Sequence, residues 1–355
     1  MTKGALYFLA IGQSRLKALL RETVTFRPIG AVPVLPGHLS VQTLPHQRLP
    51  DHALANGMIR YLFITKRTGR LGNRLTVAAH CLAAAHERGW ILVNPSLEHY
   101  AQHFVGPRAD ALVCKVPRPD AEPVPARTRR LAYAGGRIVW QASKLLKIIP
   151  GLPVAAAKAL RREHRDLGPV VIEAEQRGVR LLALQGYHFR HHPWARRQAD
   201  AIRAYFEPLP EIRAEAERAV AAARASADAV VAVHIRHGDY ASHLDGRFFY
   251  SLPTYLRLMR ECQALLAPQR VAFLIFSNAG HEANEFAEFD ATPGPGGLVS
   301  DLHALSLCDR IIGPPSSYSS WAAFYGRVPI ARVQEPDRAL MPADFEVLES
   351  PDPLY

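Results

Sequence analysis

Cysteine is scarce in this chain: among 355 residues there are four, Cys81, Cys114, Cys262 and Cys308, and no two are spaced as CxxC. That scatter argues against a disulfide framework and against a cysteine-built zinc site, and a reducing cytoplasm is the simpler setting. Long apolar runs are missing too. The stretch 5–11 is far too short to span a bilayer and no small-residue cleavage site follows it, so neither export nor a membrane anchor is expected. There is no Walker GKS or GKT, no GxGxxG, and no clear DxD pair of the kind that holds a divalent ion against a diphosphate. The group Tyr187-His188-Phe189-Arg190-His191-His192 has no carboxylate beside it to complete a ligand set and fits no zinc spacing, so no metal is expected. Helix-turn-helix, zinc-finger and aromatic RNA-platform patterns are also absent, which ranks nucleic acid last among anionic partners.

Acidic residues are outnumbered, 32 against 43 lysines and arginines, for a formal net charge of +11. An excess of that size attracts an anion: nucleic acid, phospholipid headgroups, or the diphosphate of a nucleotide sugar. The rest of the composition, 48% hydrophobic and 21% charged, is that of a soluble globular chain, and the length favours about two domains.

Residues up to about 57 contain Pro28, Pro33, Pro36, Pro45 and Pro50 and no sustained periodicity, so 1–58 are set apart as an N-terminal extension. From there the pattern predicts a strand over 59–64, a glycine-containing loop over 66–73 and an Ala-rich helix over 75–88. A Pro-rich loop over 117–125 leads into a basic insertion at about 127–165 with apolar runs such as Ile138-Val139-Trp140 and Leu145-Leu146. An interfacial helix there sets Trp140 and Leu145 at the headgroup boundary and turns Lys144 and Lys147 toward anionic lipid. A basic solvated helix packed on the domain is the competing reading, because Pro150 and Pro153 break the amphipathic pattern. A strong helix former over 211–227 closes the first half. Beyond it, strands over 229–235, 271–276, 310–312 and 328–331 alternate with helices over 253–266, 301–308 and 319–325, the order of a parallel sheet covered by helices. The expected domains are 59–226 and 227–355.

Ligands of open parallel sheets bind beyond the carboxyl ends of the strands, so the residues that follow each strand are the ones to weigh. His234-Ile235-Arg236-His237-Gly238-Asp239-Tyr240 ends a buried strand, and the Arg236 guanidinium offers a planar donor fork and fixed positive charge to phosphate oxygens; a surface arginine is the bland alternative. Gly69-Arg70-Leu71-Gly72-Asn73 has glycines that let the backbone approach an anion at a helix N-terminus, although spacing alone reads as a tight turn. Ser300 can cap the next helix with Asp301 in its first turn, and an Asp near a nucleotide can accept two parallel hydrogen bonds from the guanine edge. Gly313-Pro314-Pro315-Ser316-Ser317-Tyr318-Ser319 places hydroxyls and amides for phosphate oxygens, or caps a helix and no more.

Four stretches in this order resemble the α-1,2-fucosyltransferases and their relatives, the α-1,6- and protein O-fucosyltransferases. They are GRLGN at 69–73, LQGYHFRHHPW around Gly186, HIRHGDY at 234–240, similar to HxRRGDY, and DLHALSLCDRIIGPPSSYSSWAAFYG from Asp301. The resemblance spans roughly 59–333. It implies a GT-B fold of two Rossmann-like domains facing a cleft, an α/β protein with the donor held mainly by the C-terminal domain, and inversion without a metal or other cofactor. It further implies that Arg236 grips the β-phosphate, that His234 and Asp301 contact the guanosine, that Ser316, Ser317 and Tyr318 close on the diphosphate, and that Arg70, Gly72 and Asn73 approach from the other domain. Two departures stand out: the second arginine of HxRRGDY is His237, and Ser277-Asn278-Ala279 replaces residues that are usually acidic.

The expected activity is transfer of a sugar, fucose from GDP-fucose, to a hydroxyl of a glycan or glycolipid, with Arg236 stabilising charge on the leaving diphosphate and Asp239 the carboxylate placed to take the acceptor proton. Asp245 is the other nearby carboxylate; loop-stabilising hydrogen bonding is the competing role for both, and the one favoured for Asp245. A catalytically silent GDP-sugar or glycan-binding protein of the same fold is the alternative. The expected location is the cytoplasm, with peripheral contact with the inner face of an anionic membrane only under the interfacial-helix reading of 127–165.

Overall fold

The computed structural model describes residues 59–110, 113–114, 123–146, 152–159, 164–186 and 188–351. The Pro-rich extension, most of the 117–125 loop, Lys147, Pro150 and Tyr187 lie outside the described residues.

The first part carries β1 (Tyr61–Ile64), β2 (Ile91–Val93), β3 (Val113–Cys114), β4 (Val154–Lys158), β5 (Arg165–Asp166), β6 (Leu181–Gln185) and β7 (Phe189–Arg190). One sheet runs in the order β3-β2-β1-β6-β4, parallel except at β2–β3, while β5 and β7 form a separate short pair. The second part carries β8 (Ala229–Ile235), β9 (Val271–Ser277), β10 (Asp290–Pro293), β11 (Arg310–Gly313), β12 (Ile330–Arg332) and β13 (Phe345–Glu346), in the order β10-β9-β8-β11-β12-β13, parallel except for β13. β8 reads AVVAVHI and is buried along its whole length, the continuous apolar run of a strand covered on both faces.

The helices are α1 (Leu71–Arg88), α2 (Val105–Ala109), α3 (Ala126–Leu146), α4 (Leu167–Gln176), α5 (His192–Arg197), α6 (Ala199–Tyr205), α7 (Pro210–Arg224), α8 (Leu252–Leu266), α9 (Leu298–Leu305) and α10 (Ser317–Gly326). None is long and apolar enough to cross a membrane among the described residues. α1 is buried over most of its length because its alanines let strands and helices close on it from several sides. One apolar core runs from Leu62 and Leu75 through Trp321 to Val230 and Ile311, so it joins the two sheets through α1 and α10. Alternate residues of β8, Val231, Val233 and Ile235, face a second core closed by Tyr255, Leu258 and Met259 of α8.

Strand order reverses once in each sheet. In the second, the chain moves outward from β8 to β9 and β10, then returns to pair β11 on the other side of β8. In the first, it moves from β1 to β2 and β3, and β6 pairs on the other side of β1. Such reversals open a crevice at the carboxyl ends of the strands, where ligands of doubly wound sheets bind.

Several boundaries differ from the sequence reading. α1 begins at Leu71 rather than 75, so Leu71-Gly72-Asn73 form its first turn instead of a loop. α9 begins at Leu298 rather than 301: its N-cap is Gly297, and Ser300, expected as the cap, lies inside the helix with its hydroxyl 3.3 Å from the Gly297 carbonyl it donates to. The run Gly294-Pro295-Gly296-Gly297 ends the loop earlier than the preference for a serine cap suggested. α10 starts at Ser317 rather than 319, β12 covers 330–332 rather than 328–331, and α7 stops at Arg224 and packs on α9 and β9 of the second sheet.

Candidate active site

At the β8/β11 reversal the chain leaves β8 at Ile235 and turns through Arg236 and His237 into a short helical turn at Gly238–Ala241, entered by Gly238 at φ 50°. His234 is buried on the strand. Burial, and then the charge of Arg236, hold its imidazole down at about 3, so it is neutral at pH 7, and its Nδ1 has no hydrogen-bond partner among the described residues. Its ring lies 5.5 Å from that of Tyr318.

Arg236 is half-buried. Its backbone N–H donates to the Tyr255 hydroxyl at 3.3 Å, and its guanidinium sits 4.6 Å above the Tyr240 ring. The Tyr240 hydroxyl in turn donates to the Pro315 carbonyl at 3.1 Å, so one tyrosine supports the arginine and ties its loop to the β11–α10 loop. The charge of Arg236 is felt by both His234 and Tyr318, which puts it inside the same cluster.

His237 is held by other segments. Its Nε2 is 2.8 Å from the Tyr250 carbonyl, and its ring packs 4.8 Å from Phe249 and 5.4 Å from His281. Its backbone is clamped from both sides by Asn278, whose Oδ1 accepts from the His237 N–H at 2.9 Å and whose Nδ2 donates to the His237 carbonyl at 3.3 Å. His237 and Asn278 thus interlock. Asp239 occupies the 238–241 turn, with its side chain outside the described residues; Asp245 is exposed at φ 58°.

The end of β11 passes so close to β8 that a Cβ at Gly313 would lie 2.6 Å from the His234 carbonyl oxygen. Ser316, buried and extended, is the N-cap of α10: its Oγ accepts from the Tyr318 N–H at 3.2 Å. Ser317 opens the helix. The Tyr318 hydroxyl donates to the Leu298 carbonyl at 2.6 Å and is pushed well above its ordinary range, by burial first and then by the Asp301 carboxylate. Asp301 accepts from the Gly296 N–H at 2.7 Å, yet burial, helped by Glu215, raises it to about 6.

The β1/β6 reversal meets this cluster through backbone. Gly69, at φ 68°, leads to Arg70, the exposed N-cap of α1, and a Cβ at Gly72 would lie 2.6 Å from the Ser317 carbonyl carbon and 2.7 Å from the Tyr318 nitrogen. The first turns of α1 and α10 therefore touch. Neither first turn contains an acidic residue and the Arg70 side chain makes no capping hydrogen bond, so two positive helix ends converge. Beside them Asn73 Oδ1 is buried with no partner among the described residues.

The structure brings His234, Arg236, Asp301, Ser316, Ser317, Tyr318 and Gly72 into one neighbourhood, with Arg70 and Asn73 in the adjoining turn. The histidine group serves packing: His191 N–H donates to His80 Nδ1 at 3.1 Å, His191 Nδ1 is 2.8 Å from Asp166 Oδ1, His192 Nδ1 is 2.8 Å from Ser350 Oγ, and His80 Nε2 is 2.8 Å from the Pro351 carbonyl. No group of three or more possible metal ligands forms among the described residues. Sequence reasoning missed Tyr240 as the support of Arg236, Asn278 as the clamp, and Glu215. The tyrosine closing HIRHGDY was the one available signal; the other two come together only through the fold.

Two parallel α/β sheets whose strand-order reversals face each other define the GT-B class of fold. Neither a protein-family model nor a curated protein sequence matches this chain. Solved structures do. A mutant of Arabidopsis thaliana FUT1 in complex with GDP is similar with a TM-score of 0.53 and 14% identity, over 78% of this chain and 71% of that one. Fucosyltransferase NodZ from Bradyrhizobium gives 0.45 and 17%, over 77% and 95%, and POFUT1 in complex with GDP-fucose gives 0.42 and 12%, over 77% and 95%. The first establishes the fold; the other two overlap too loosely to carry an argument.

Proposed function

We propose that this chain is an inverting glycosyltransferase that transfers a sugar, fucose from GDP-fucose, to a hydroxyl of a glycan or glycolipid without a metal ion. The observation that carries the reading is the contact of the α1 and α10 first turns beside Arg236, which gathers amide N–H groups, two helix dipoles and one guanidinium where a diphosphate needs positive charge.

In this reading the acceptor oxygen attacks the anomeric carbon from the face opposite GDP. The carbon–oxygen bond to the β-phosphate breaks, its electron pair leaves with GDP, and Arg236 with the helix ends stabilises that charge. Asp239 takes the acceptor proton. The buried, neutral His234 and the Asp301 carboxylate face the guanosine, whose N1–H and N2–H groups suit an acid acceptor. Arg70, Gly72 and Asn73 close on the donor from the first sheet, so residues 59–226 and 227–355 act as the two domains, and no cofactor is required. The cytoplasm is the proposed setting, supported by three free, buried cysteines.

The deciding experiment follows GDP released from GDP-fucose, with and without glycan acceptors, in excess EDTA. Release that persists in EDTA and disappears in Arg236→Ala supports the reading. A silent GDP-sugar-binding protein is favoured by one observation, the engagement of His237 with the Tyr250 carbonyl where the family carries a second arginine. Binding of GDP with no release from any donor would select it.

A further inference from the structure

Helix α3 presents a face that stays exposed among the described residues. Its residues fall into rows seven apart. Arg129, Gly136 and Ser143 are its buried residues, and a Cβ on Gly136 would lie 3.2 Å from both Phe63 and Pro95, so this row lies against the first sheet. One residue on, Arg130, Arg137 and Lys144 are all exposed. One further on, Leu131, Ile138 and Leu145 are 73%, 70% and 68% exposed, the three most exposed large apolar side chains among the described residues. Trp140, expected at the same boundary, is instead half-buried on the inner flank.

No Asp or Glu occurs between Ala126 and Leu146. An occupant of this face must therefore accept an apolar row and a cationic row lying side by side along three heptads. A second copy of the chain would set like charges against each other. A nucleic acid would satisfy the cations and leave the leucines and isoleucine in water. The boundary between the headgroups and acyl chains of an anionic bilayer satisfies both rows. We infer that the outer face of α3 docks the protein on an anionic phospholipid surface.

The inner flank of the helix links this surface to the candidate site. The Tyr133 ring lies 3.9 Å under the guanidinium of Arg67, which pairs with Glu98 at 2.8 Å and belongs to the segment leading from β1 into Gly69–Asn73. A docked α3 holds that loop within about one helix diameter, roughly 10–12 Å, of the lipid. An acceptor carried by the bilayer then reaches the first-sheet side of the cleft; this consequence rests on the transferase reading, whereas the docking does not.

The test is sedimentation of the full chain with vesicles of phosphatidylcholine alone or mixed with phosphatidylglycerol. Binding is expected to the anionic vesicles only, and to weaken steeply as salt rises from about 0.1 M to about 0.5 M. Arg130→Gln/Arg137→Gln/Lys144→Gln is expected to weaken it on the order of a hundredfold, and Leu131→Ser/Ile138→Ser/Leu145→Ser by at least about tenfold. Both variants should keep the wild-type melting temperature and its response to GDP, which separates failure here from failure of the proposed function. Arg260→Gln/Arg270→Gln/Arg338→Gln removes the same charge from ion pairs elsewhere and should change binding little. Equal binding to neutral vesicles, wild-type binding by both α3 variants, or an equal loss in the charge control would overturn the proposal. So would a dimer that the apolar variant dissolves, since that assigns the face to a second copy.

Discussion

The two strand-order reversals are made of different materials. At β8/β11 the groups are ionisable and shifted by burial: His234 down to about 3, Asp301 up to about 6, Tyr318 upward, with Arg236 among them. At β1/β6 the close approach to the other half is made by Gly72, reached through Gly69 at φ 68°, and the nearby Arg67 is already paired with Glu98. The second sheet supplies charge and the first supplies close approach. Shifted ionisable groups mark candidate sites, and the proposed function places the donor mainly on the second sheet; Arg74 and His188 beside the first reversal are also lowered, by burial first.

The largest expected effect comes from removing the charge. Arg236→Ala should lower kcat/KM by about 10²–10³-fold with little change in melting temperature. Arg236→Lys, which keeps the charge and loses the planar fork, should recover part of that loss. Full activity in Arg236→Ala would break the comparison outright.

Next comes the close approach. In Gly72→Ala the new Cβ meets the backbone of Ser317 and Tyr318, which cannot swing aside, so about 1–3 kcal/mol of stability should be lost together with donor binding. Gly135→Ala on α3, where a Cβ meets nothing, should be neutral or stabilise by up to about 1 kcal/mol in chemical denaturation. If both variants unfold alike, the contact between α1 and α10 has no special weight.

The pH dependence of donor binding should be smaller but diagnostic. Because Asp301 is raised from its ordinary 3.8 to about 6, its contribution to the stability of the free chain is fully present below 3.8 and lost as pH rises through 6. Binding that needs the ionised carboxylate runs the other way, and GDP affinity should fall about tenfold from pH 7.5 to pH 5. Asp301→Asn should flatten that profile, and Glu215→Gln should move its midpoint to lower pH. Calorimetric titrations at several pH values would read both.

The smallest effect belongs to the loop clamp. Asn278→Ala removes two hydrogen bonds to the His237 backbone and should cost about 1–2 kcal/mol of stability, read as a lower melting temperature, with a several-fold loss of turnover through a looser Arg236.

Much of this arrangement is legible in the sequence, for a physical reason. The apolar runs of β8 and β9 and the Ala-rich α1 are set by periodicity, and residues that follow parallel strands are where ligands bind, so Arg236 and Ser316–Tyr318 stand out by order, whereas the roles expected of them, and of His234 inside β8, come from the resemblance. Helix starts were less legible because glycines do the capping. Gly297 is the N-cap of α9 although Ser300 is the better capping residue by type, and Arg70 is the N-cap of α1 without a side-chain capping hydrogen bond. The orientation of His237 was not legible, since the Tyr250 carbonyl and Asn278 that fix it lie on other segments. Nor did periodicity alone choose which row of α3 faces the sheet; Gly136 against Phe63 and Pro95 decides that.

Thermal unfolding with GDP, UDP and ADP tests the central claim most directly, because a ligand that binds only the folded chain raises its melting temperature. GDP should stabilise the wild type by several degrees, UDP and ADP should not, and Arg236→Ala should lose the response to GDP. Equal shifts from all three nucleotides, or a GDP shift that survives in Arg236→Ala, would contradict it.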